Sequence, residues 1–322
     1  MSRSIPGRAV GYTLSLVVPL LVLGTVAPCV PVSYAAVVDS LNPRSADSLG
    51  APSRARFNDD SLRGRSGKLF VRLLSPDRVS TIAPFAHWFG GQTPQRPGVY
   101  RVADSSLRHP FAFITLHPFD AKRTDRIGSY RLGFWPAERR RKITSEAYEN
   151  PTGFIEVSSD NVSTPVSEHF QLGDFLTHDQ ASVWPKYLVL HEDLVDKLEL
   201  VIAELEQSGI AVRTMKVMSG FRTPQYNAKG GRKTGRAEMS RHMYGDAADV
   251  FVDNNNDGRM DDLNRDGRVD SRDAKVIVTA TERVERRHAD LVGGAAVYKA
   301  TKAHGPFAHI DVRGNRARWG RM

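Results

Sequence analysis

The strongest constraint on this chain is a set of three potential metal ligands at widely separated positions. His242 and Asp249 lie in the segment SRHMYGDAAD, and His309 lies much later, in AHIDVR. Two imidazoles and one carboxylate suit a divalent cation such as Zn²⁺. Three protein ligands leave the fourth tetrahedral position for water, as in catalytic rather than closed structural zinc sites. The fold must therefore bring these three side chains to one point.

Strand periodicity predicts how the ligands reach that point. If residues 247–252 form a strand, Asp249 shares one face with Ala247 and Phe251. The same alternation places His309 and Asp311 on one face of a later strand, so the sequence directs Asp311 near the metal. Gly245 allows the chain to fold back tightly between the first two ligands.

The residues around the ligands resemble a known family. SGFRTPQYN, then S-x-H-x-x-G-x-A-x-D, then H-x-D before an Arg-Trp ending are similar to motifs of the zinc D-Ala-D-Ala carboxypeptidase and murein endopeptidase superfamily, whose fold Hedgehog signalling domains share. The resemblance covers about residues 165–319 and is nearest to periplasmic murein endopeptidases. It implies an α+β fold in which an antiparallel sheet carries helices on one side.

A helix is also predicted from periodicity alone. Leu194, Leu198, Val201 and Leu205 fall on one face at steps of three and four, so this helix should pack beneath the sheet. In the resembled family, a segment similar to S-x-H-F opens the catalytic domain, which raises a cleft-lining role for His169. A structural role for His169 is the alternative that we favour.

The resemblance assigns a role to Arg222 but leaves the proton carrier open. The arginine of the SGFR motif faces the substrate in the resembled enzymes, where a guanidinium holds a carboxylate or the developing oxyanion. Some relatives place a glutamate or aspartate three residues before the last ligand, and others place a histidine two residues before it. This chain has Pro306 and Phe307 at those two positions. We rank Asp311 first and His304 second as the base, with Glu238 as a further candidate. Asp311 could equally orient His309.

An acidic insertion between the second and third ligands predicts a second kind of ion site. Residues 253–273 open with two repeats of D-x-N-x-D-G-R-x-D and resemble EF-hand and dockerin loops. Oxygen-only ligands at this spacing suit calcium, not zinc. One or two ions fit the overlapping loops, and a solvated acidic loop is the alternative. The predicted calcium ligands are Asp253, Asn255, Asp257, the Arg259 carbonyl, Asp261, Asp262, Asn264, Asp266, the Arg268 carbonyl, Asp270 and Asp273.

Composition narrows the class of partner. The chain has 322 residues, 40% of them hydrophobic, and a formal net charge of +9. That charge favours acidic surroundings such as anionic cell-wall polymers or lipid headgroups. No helix-turn-helix, zinc-finger or RNA-binding signature accompanies it, so we predict no nucleic-acid partner.

The first part of the chain divides into segments of different composition. Residues 1–35 combine early arginines, an apolar run and small residues before a cleavage point, which predicts a secretory signal; left uncleaved, it would be a membrane anchor. Residues 36–67 read as a polar linker. Residues 68–160 read as a small β-rich accessory domain. Residues 165–322 form the predicted zinc peptidase domain.

Together, these features predict an exported zinc metallopeptidase of the periplasm or cell envelope that hydrolyses peptidoglycan stem-peptide or cross-link bonds. Endopeptidase action is favoured, and D-Ala-D-Ala carboxypeptidase action is the alternative. A non-catalytic, calcium-dependent cell-wall-binding protein is the alternative from another class.

Overall fold

The structure is a computed structural model that describes residues 62–75, 96–102, 109–139, 143, 145–230 and 236–320. The predicted secretory signal and most of the predicted linker lie outside these residues. Within them, no helix is both long and apolar enough to cross a membrane. Residues 50–322 group into one compact unit.

A five-stranded sheet positions the predicted metal ligands. Its strands are β9 (Met215–Ser219), β10 (Ala247–Val252), β11 (Gly294–Tyr298), β12 (Phe307–Asp311) and β13 (Ala317–Trp319), in the spatial order β13-β11-β12-β10-β9. The pairs among β9, β10, β12 and β11 are antiparallel, as predicted. The edge strand β13 instead pairs in parallel with β11, so the sheet is mixed.

The register of this sheet sets two ligands side by side. Asp249 on β10 is directly opposite His309 on β12 and opposite Ser219 on β9. The β9–β10 register shifts between Asp249 and Val250. Such an irregularity bends the strand locally and changes the direction of a side chain.

Among the described residues, three α-helices complete the mixed α and β architecture: α1 (Glu192–Gln207), α2 (Pro224–Gly230) and α3 (Ser271–Arg287). Leu194, Leu198, Val201 and Leu205 are all buried on α1, which confirms the predicted apolar face. Helix α3 packs against β11, β12 and α1.

Short strands precede α1. They are β1 (Val71–Leu74), β2 (Gly98–Val102), β3 (Phe111–Thr115), β4 (His117–Pro118), β5 (Arg126–Ile127), β6 (Tyr130–Arg131), β7 (Gly153–Val157) and β8 (Lys186–Leu188). They form the sheets β1-β3-β2, β4-β7-β8 and β5-β6. Strand β7 pairs with β8 across the predicted domain boundary. One hydrophobic core also runs through both regions and includes Trp135 and Phe154 as well as Leu198 and Ile310.

Candidate metal centre

The fold brings His242, Asp249 and His309 to one buried point. His242 lies on a short 3₁₀ helix, Arg241–Tyr244, Asp249 on β10 and His309 on β12. Gly245 makes the tight turn between the first two ligands, because it has φ of 71° and a Cβ there would lie 2.2 Å from the Val189 carbonyl oxygen. The three side chains are buried, with residue exposures of 3%, 4% and 5%.

The spacing of the three ligand atoms fits a single small cation. Asp249 Oδ1 lies 2.9 Å from His309 Nδ1 and 3.3 Å from His242 Nε2, and the two ring nitrogens are 3.2 Å apart. Ligand atoms about 2.0–2.1 Å from a tetrahedral zinc lie about 3.3 Å from one another. The residues therefore fit Zn²⁺ in number, chemistry and spacing.

Hydrogen bonds behind the rings decide which nitrogen of each histidine faces the centre. His242 Nδ1 lies 2.7 Å from the Gly220 carbonyl oxygen, and His309 Nε2 lies 3.0 Å from Asp311 Oδ2. Both partners are acceptors, so a proton on each of these nitrogens completes a hydrogen bond. The opposite nitrogens, Nε2 of His242 and Nδ1 of His309, then present lone pairs to a metal.

Arg222 lies directly against the ligand carboxylate. Its Nη2 donates to Asp249 Oδ2, and its Nε donates to Ser219 Oγ at 2.8 Å. Burial lowers the pKa of Arg222, although Asp249 opposes that effect. Burial would raise the pKa of Asp249, but the charge and hydrogen bonds of His242 and His309 hold it well below the usual range. The carboxylate is therefore ionised and ready to bind a cation.

Asp311 lies behind His309, on the side away from the other two ligands. It is fully buried, and its oxygens accept from Gly294 N at 2.6 Å and Arg313 Nε at 2.9 Å as well as from His309. Burial would raise the pKa of Asp311, but the hydrogen bonds from His309 and Arg313 hold it below the usual range. The sequence left two roles open for Asp311, as the general base or as the residue that orients His309. This geometry matches the second role.

The remaining predicted histidines lie elsewhere. His304 Nδ1 is 2.8 Å from the Gly305 carbonyl oxygen, and its ring packs edge-on against Phe307. Across the described part of the chain, His304 makes no hydrogen bond to the three ligands. His169 pairs through Nδ1 with the buried Glu199, at 2.8 Å, which matches the structural role favoured from the sequence.

The acidic insertion forms two turns of the same conformation. Asp253 accepts from the backbone N–H groups of Asp257 and Gly258, and Asp262 accepts in the same way from Asp266 and Gly267. Asn256 and Arg265, at equivalent places in the repeat, both have φ of 60°. The sequence repeat is therefore also a conformational repeat, and calcium binding by it stays a prediction.

The other predicted calcium ligands lie within or beside these turns. Asn255 and Asn264 each accept from the backbone N–H two residues later, and Asp261 accepts from Asn254 N. Asp270 and Asp273 form a reciprocal cap at the start of α3. That cap connects the insertion to the helix that supports the sheet.

A protein-family model matches the part of the chain that carries two of the three candidate ligands. Residues 191–272 match the family model of Peptidase M15. This matched segment includes Arg222, His242 and Asp249 and ends before His309. This match agrees with the resemblance drawn from the sequence motifs. Among solved structures, the chain is similar to the L-Ala D-Glu endopeptidase ChiX of Serratia marcescens, with 21% identity over 38% of this chain and 80% of that chain and a TM-score of 0.26. No curated protein matches the chain.

Proposed function

From the Peptidase M15 match and the buried ligand group, we propose that this protein is a zinc-dependent peptidase that hydrolyses stem-peptide or cross-link bonds of peptidoglycan. One observation carries the proposal. Each histidine has one ring nitrogen held by an acceptor, so the other nitrogen converges with Asp249 Oδ1, with all three atoms within 3.3 Å of one another. A chance cluster of histidines has no reason to show such matched orientation.

His242, Asp249 and His309 would hold the zinc. When bound there, zinc supplies Lewis acidity and lowers the pKa of a water molecule to about 7. The chain's own contribution is to direct one ring nitrogen of each imidazole towards the metal position. Burial lowers the pKa of His242, which disfavours its protonated form.

Arg222 has two roles in this proposal. It holds the second oxygen of Asp249, so that the first oxygen stays directed at the histidines. Its positive charge also lies beside the ligand group, where it would stabilise the negative charge that develops on the scissile carbonyl oxygen. A lysine would be a poor replacement, because the guanidinium bridges Asp249 and Ser219 with separate N–H groups.

The contacts of Asp311 support a positioning role for this residue. Its oxygens already accept hydrogen bonds from His309, Arg313 and Gly294, which leaves little capacity for a proton from water. Proton transfer to the leaving amine then falls to His304 or Glu238. Substituting each of these separately by glutamine and recording the pH profile of kcat identifies the carrier, since only its removal abolishes one limb of the profile.

The experiment that tests the function is digestion of purified murein sacculi, with mass spectrometry of the released muropeptides. We expect endopeptidase products, which would appear as cleaved cross-links. Release of terminal D-alanine alone would instead identify a carboxypeptidase. The His242→Ala variant is the control for contaminating hydrolases.

The rival function is calcium-dependent wall binding without catalysis, and the absence of an acid or histidine at positions 306 and 307 favours it. Chelation separates the two. If zinc removal abolishes hydrolysis but leaves retention on sacculi, the peptidase proposal stands. A zinc-loaded protein that binds sacculi and releases no muropeptide overturns it.

The acidic insertion is proposed as a structural calcium site that braces the sheet. The two turns of the repeat have the same conformation, and the Asp270–Asp273 cap joins the insertion directly to α3. Both observations support this role. Selective calcium removal with zinc retained should lower activity. Unchanged activity would count against the bracing role.

We also propose that the protein is exported to the periplasm or cell envelope, where its substrate lies. The sequence of residues 1–35 is the support for this localisation. Fractionation of cells with an antibody to the full chain tests it, and a cytosolic pool alone would contradict it.

A further inference from the structure

A cavity of about 420 Å³ lies next to residues that carry the metal centre, and its walls come from two distant parts of the chain. Pro224 and Met243 line it, and they directly follow the segments that hold Arg222 and His242. Phe134 and Arg139 line it from the region before the Peptidase M15 match. The cavity therefore joins residues inside the Peptidase M15 match to residues outside it.

The wall from the earlier region is firmly attached. Trp135 is fully buried, and its Nε1 donates to the Met243 carbonyl oxygen at 2.8 Å. Gln225 N donates to the Leu132 carbonyl oxygen at 2.9 Å. Gly133 has φ of 89°, and a Cβ there would lie 2.7 Å from Gln225 N, so the two backbones are in close contact. This wall is fixed relative to α2 and the His242 turn.

Three charged side chains line the cavity, Arg139, Arg236 and Glu238, so the arginines outnumber the acid two to one. Arg139 is exposed and lies over the Phe134 ring, 5.6 Å from its centroid. Arg236 lies 4.4 Å from the Tyr226 centroid and donates to the Tyr226 carbonyl oxygen at 2.8 Å. In the described part of the chain, neither guanidinium has a carboxylate within 4.0 Å, although Arg313, Arg318 and several others do.

The loop that carries Arg236 is also held in place. Asn227 Nδ2, on α2, donates to the Ala237 carbonyl oxygen at 3.0 Å. Arg236 lines the same cavity as Met243, which directly follows the ligand His242 in the chain.

We propose that this cavity is a substrate subsite that binds a carboxylate of the peptide, with Arg236 and Arg139 as the residues that recognise it. A guanidinium matches a carboxylate with paired N–H donors, and two such groups lining one cavity favour an anionic over a neutral side chain. Phe134 supplies an apolar surface for the adjoining methylene groups. The inference rests on the proposed function and adds a specificity that the family match does not contain, because Arg139 lies outside residues 191–272.

The test uses a matched set of stem peptides in which one carboxylate at a time is replaced by a carboxamide. For the wild-type holoenzyme, we expect one replacement to lower kcat/KM by about 10- to 100-fold, the range for a hydrogen bond to a charged group. In Arg236→Gln and Arg139→Gln, that preference for the free acid over the amide should shrink towards unity. Arg286→Gln, an exposed arginine on α3, is the charge-matched control.

Binding of the same peptides to the zinc-loaded protein, measured by calorimetry, tests the subsite independently of hydrolysis and so independently of the proposed function. If no peptide is hydrolysed, the peptidase proposal fails, yet tighter binding of the free acid than of the amide would still support the subsite. The subsite is overturned if wild type treats every amidated peptide as it treats the parent. It is also overturned if the two arginine variants lower binding of all peptides by the same factor.

Discussion

The buried ammonium of Lys197 donates a hydrogen bond to the main-chain carbonyl oxygen of Asp311, at 2.8 Å, and another to Glu285 Oε1, at 2.7 Å. Lys197 is 0% exposed on α1. Burial lowers the pKa of Lys197, and the charge of Glu285 opposes that shift. The helix α1 is thereby attached to β12 two residues beyond His309, so a helix far from the cleft contributes to the ligand geometry.

The first prediction concerns this contact. Lys197→Met should destabilise the fold by about 3 kcal/mol, the lower end of the range for removing one member of a buried pair, because Arg318 still pairs with Glu285. Urea unfolding measures the change. Lys275→Met, at an exposed position on α3, is the control and should shift stability by less than about 0.5 kcal/mol. An equal effect of the two substitutions would contradict the role of Lys197.

The second prediction concerns the metal. Zinc content measured by plasma mass spectrometry should be about one atom per wild-type chain. His242→Ala and His309→Ala should each lose the zinc and the hydrolytic activity, because two remaining ligands hold the ion weakly. His288→Ala, at the end of α3, should retain both. Stoichiometric zinc in either ligand variant would show that the site has been assigned to the wrong residues.

The third prediction distinguishes the two roles of Asp311. Asp311→Asn should lower zinc affinity or activity by about 10- to 100-fold, because the group that orients His309 is weakened. If Asp311 positions His309, the shape of the pH profile should persist. If Asp311 is the base, zinc should stay bound while the acid limb of the profile disappears. Zinc titration and pH-rate measurements on the same preparation separate these results.

The fourth prediction concerns pH and His169. The hydrogen bond to Glu199 raises the pKa of His169 above its usual value, although burial opposes this; Lys68 and Glu168 also face the pair. A raised folded-state pKa adds stability at pH values below about 6.5 that is lost as pH rises through the folded value. The difference in unfolding free energy between wild type and His169→Gln should therefore be largest at acid pH and shrink towards alkaline pH. A constant difference would rule out this ionic contribution.

The fifth prediction concerns the acidic insertion. Calcium should raise the melting temperature, with about 2.7 kcal/mol of added stability at 100 times the dissociation constant. Asp262→Ala should lose most of this increase, because Asp262 opens the second predicted loop. Asp160→Ala, an exposed acid outside the insertion, should retain it. A wild-type protein with no calcium-dependent shift would identify the insertion as a solvated loop.

Much of the site followed from local pattern. The alternation around Asp249 and His309 predicted two strands and the side-chain faces they present, and the structure pairs these residues directly. The apolar steps on α1 predicted a buried face, which is present. Lys197 lies on that same face between Leu194 and Val201, so a charged residue within an apolar stripe was a signal that sequence reasoning could have used. The parallel pairing of β13 was not predicted, because strand direction at a sheet edge depends on the path of the whole chain.

By itself, the sequence determined which side chains can bind a metal, their order and the strand faces that carry them, because residue chemistry and strand period are local properties. Only the tertiary structure decided that Asp311 lies behind His309, which nitrogen of each ring faces the centre, and that Arg139 reaches a cavity beside it. Those relationships join residues far apart in the chain. They are set by the packing of Trp135 against Met243 and of Lys197 against β12, and no local spacing encodes such contacts.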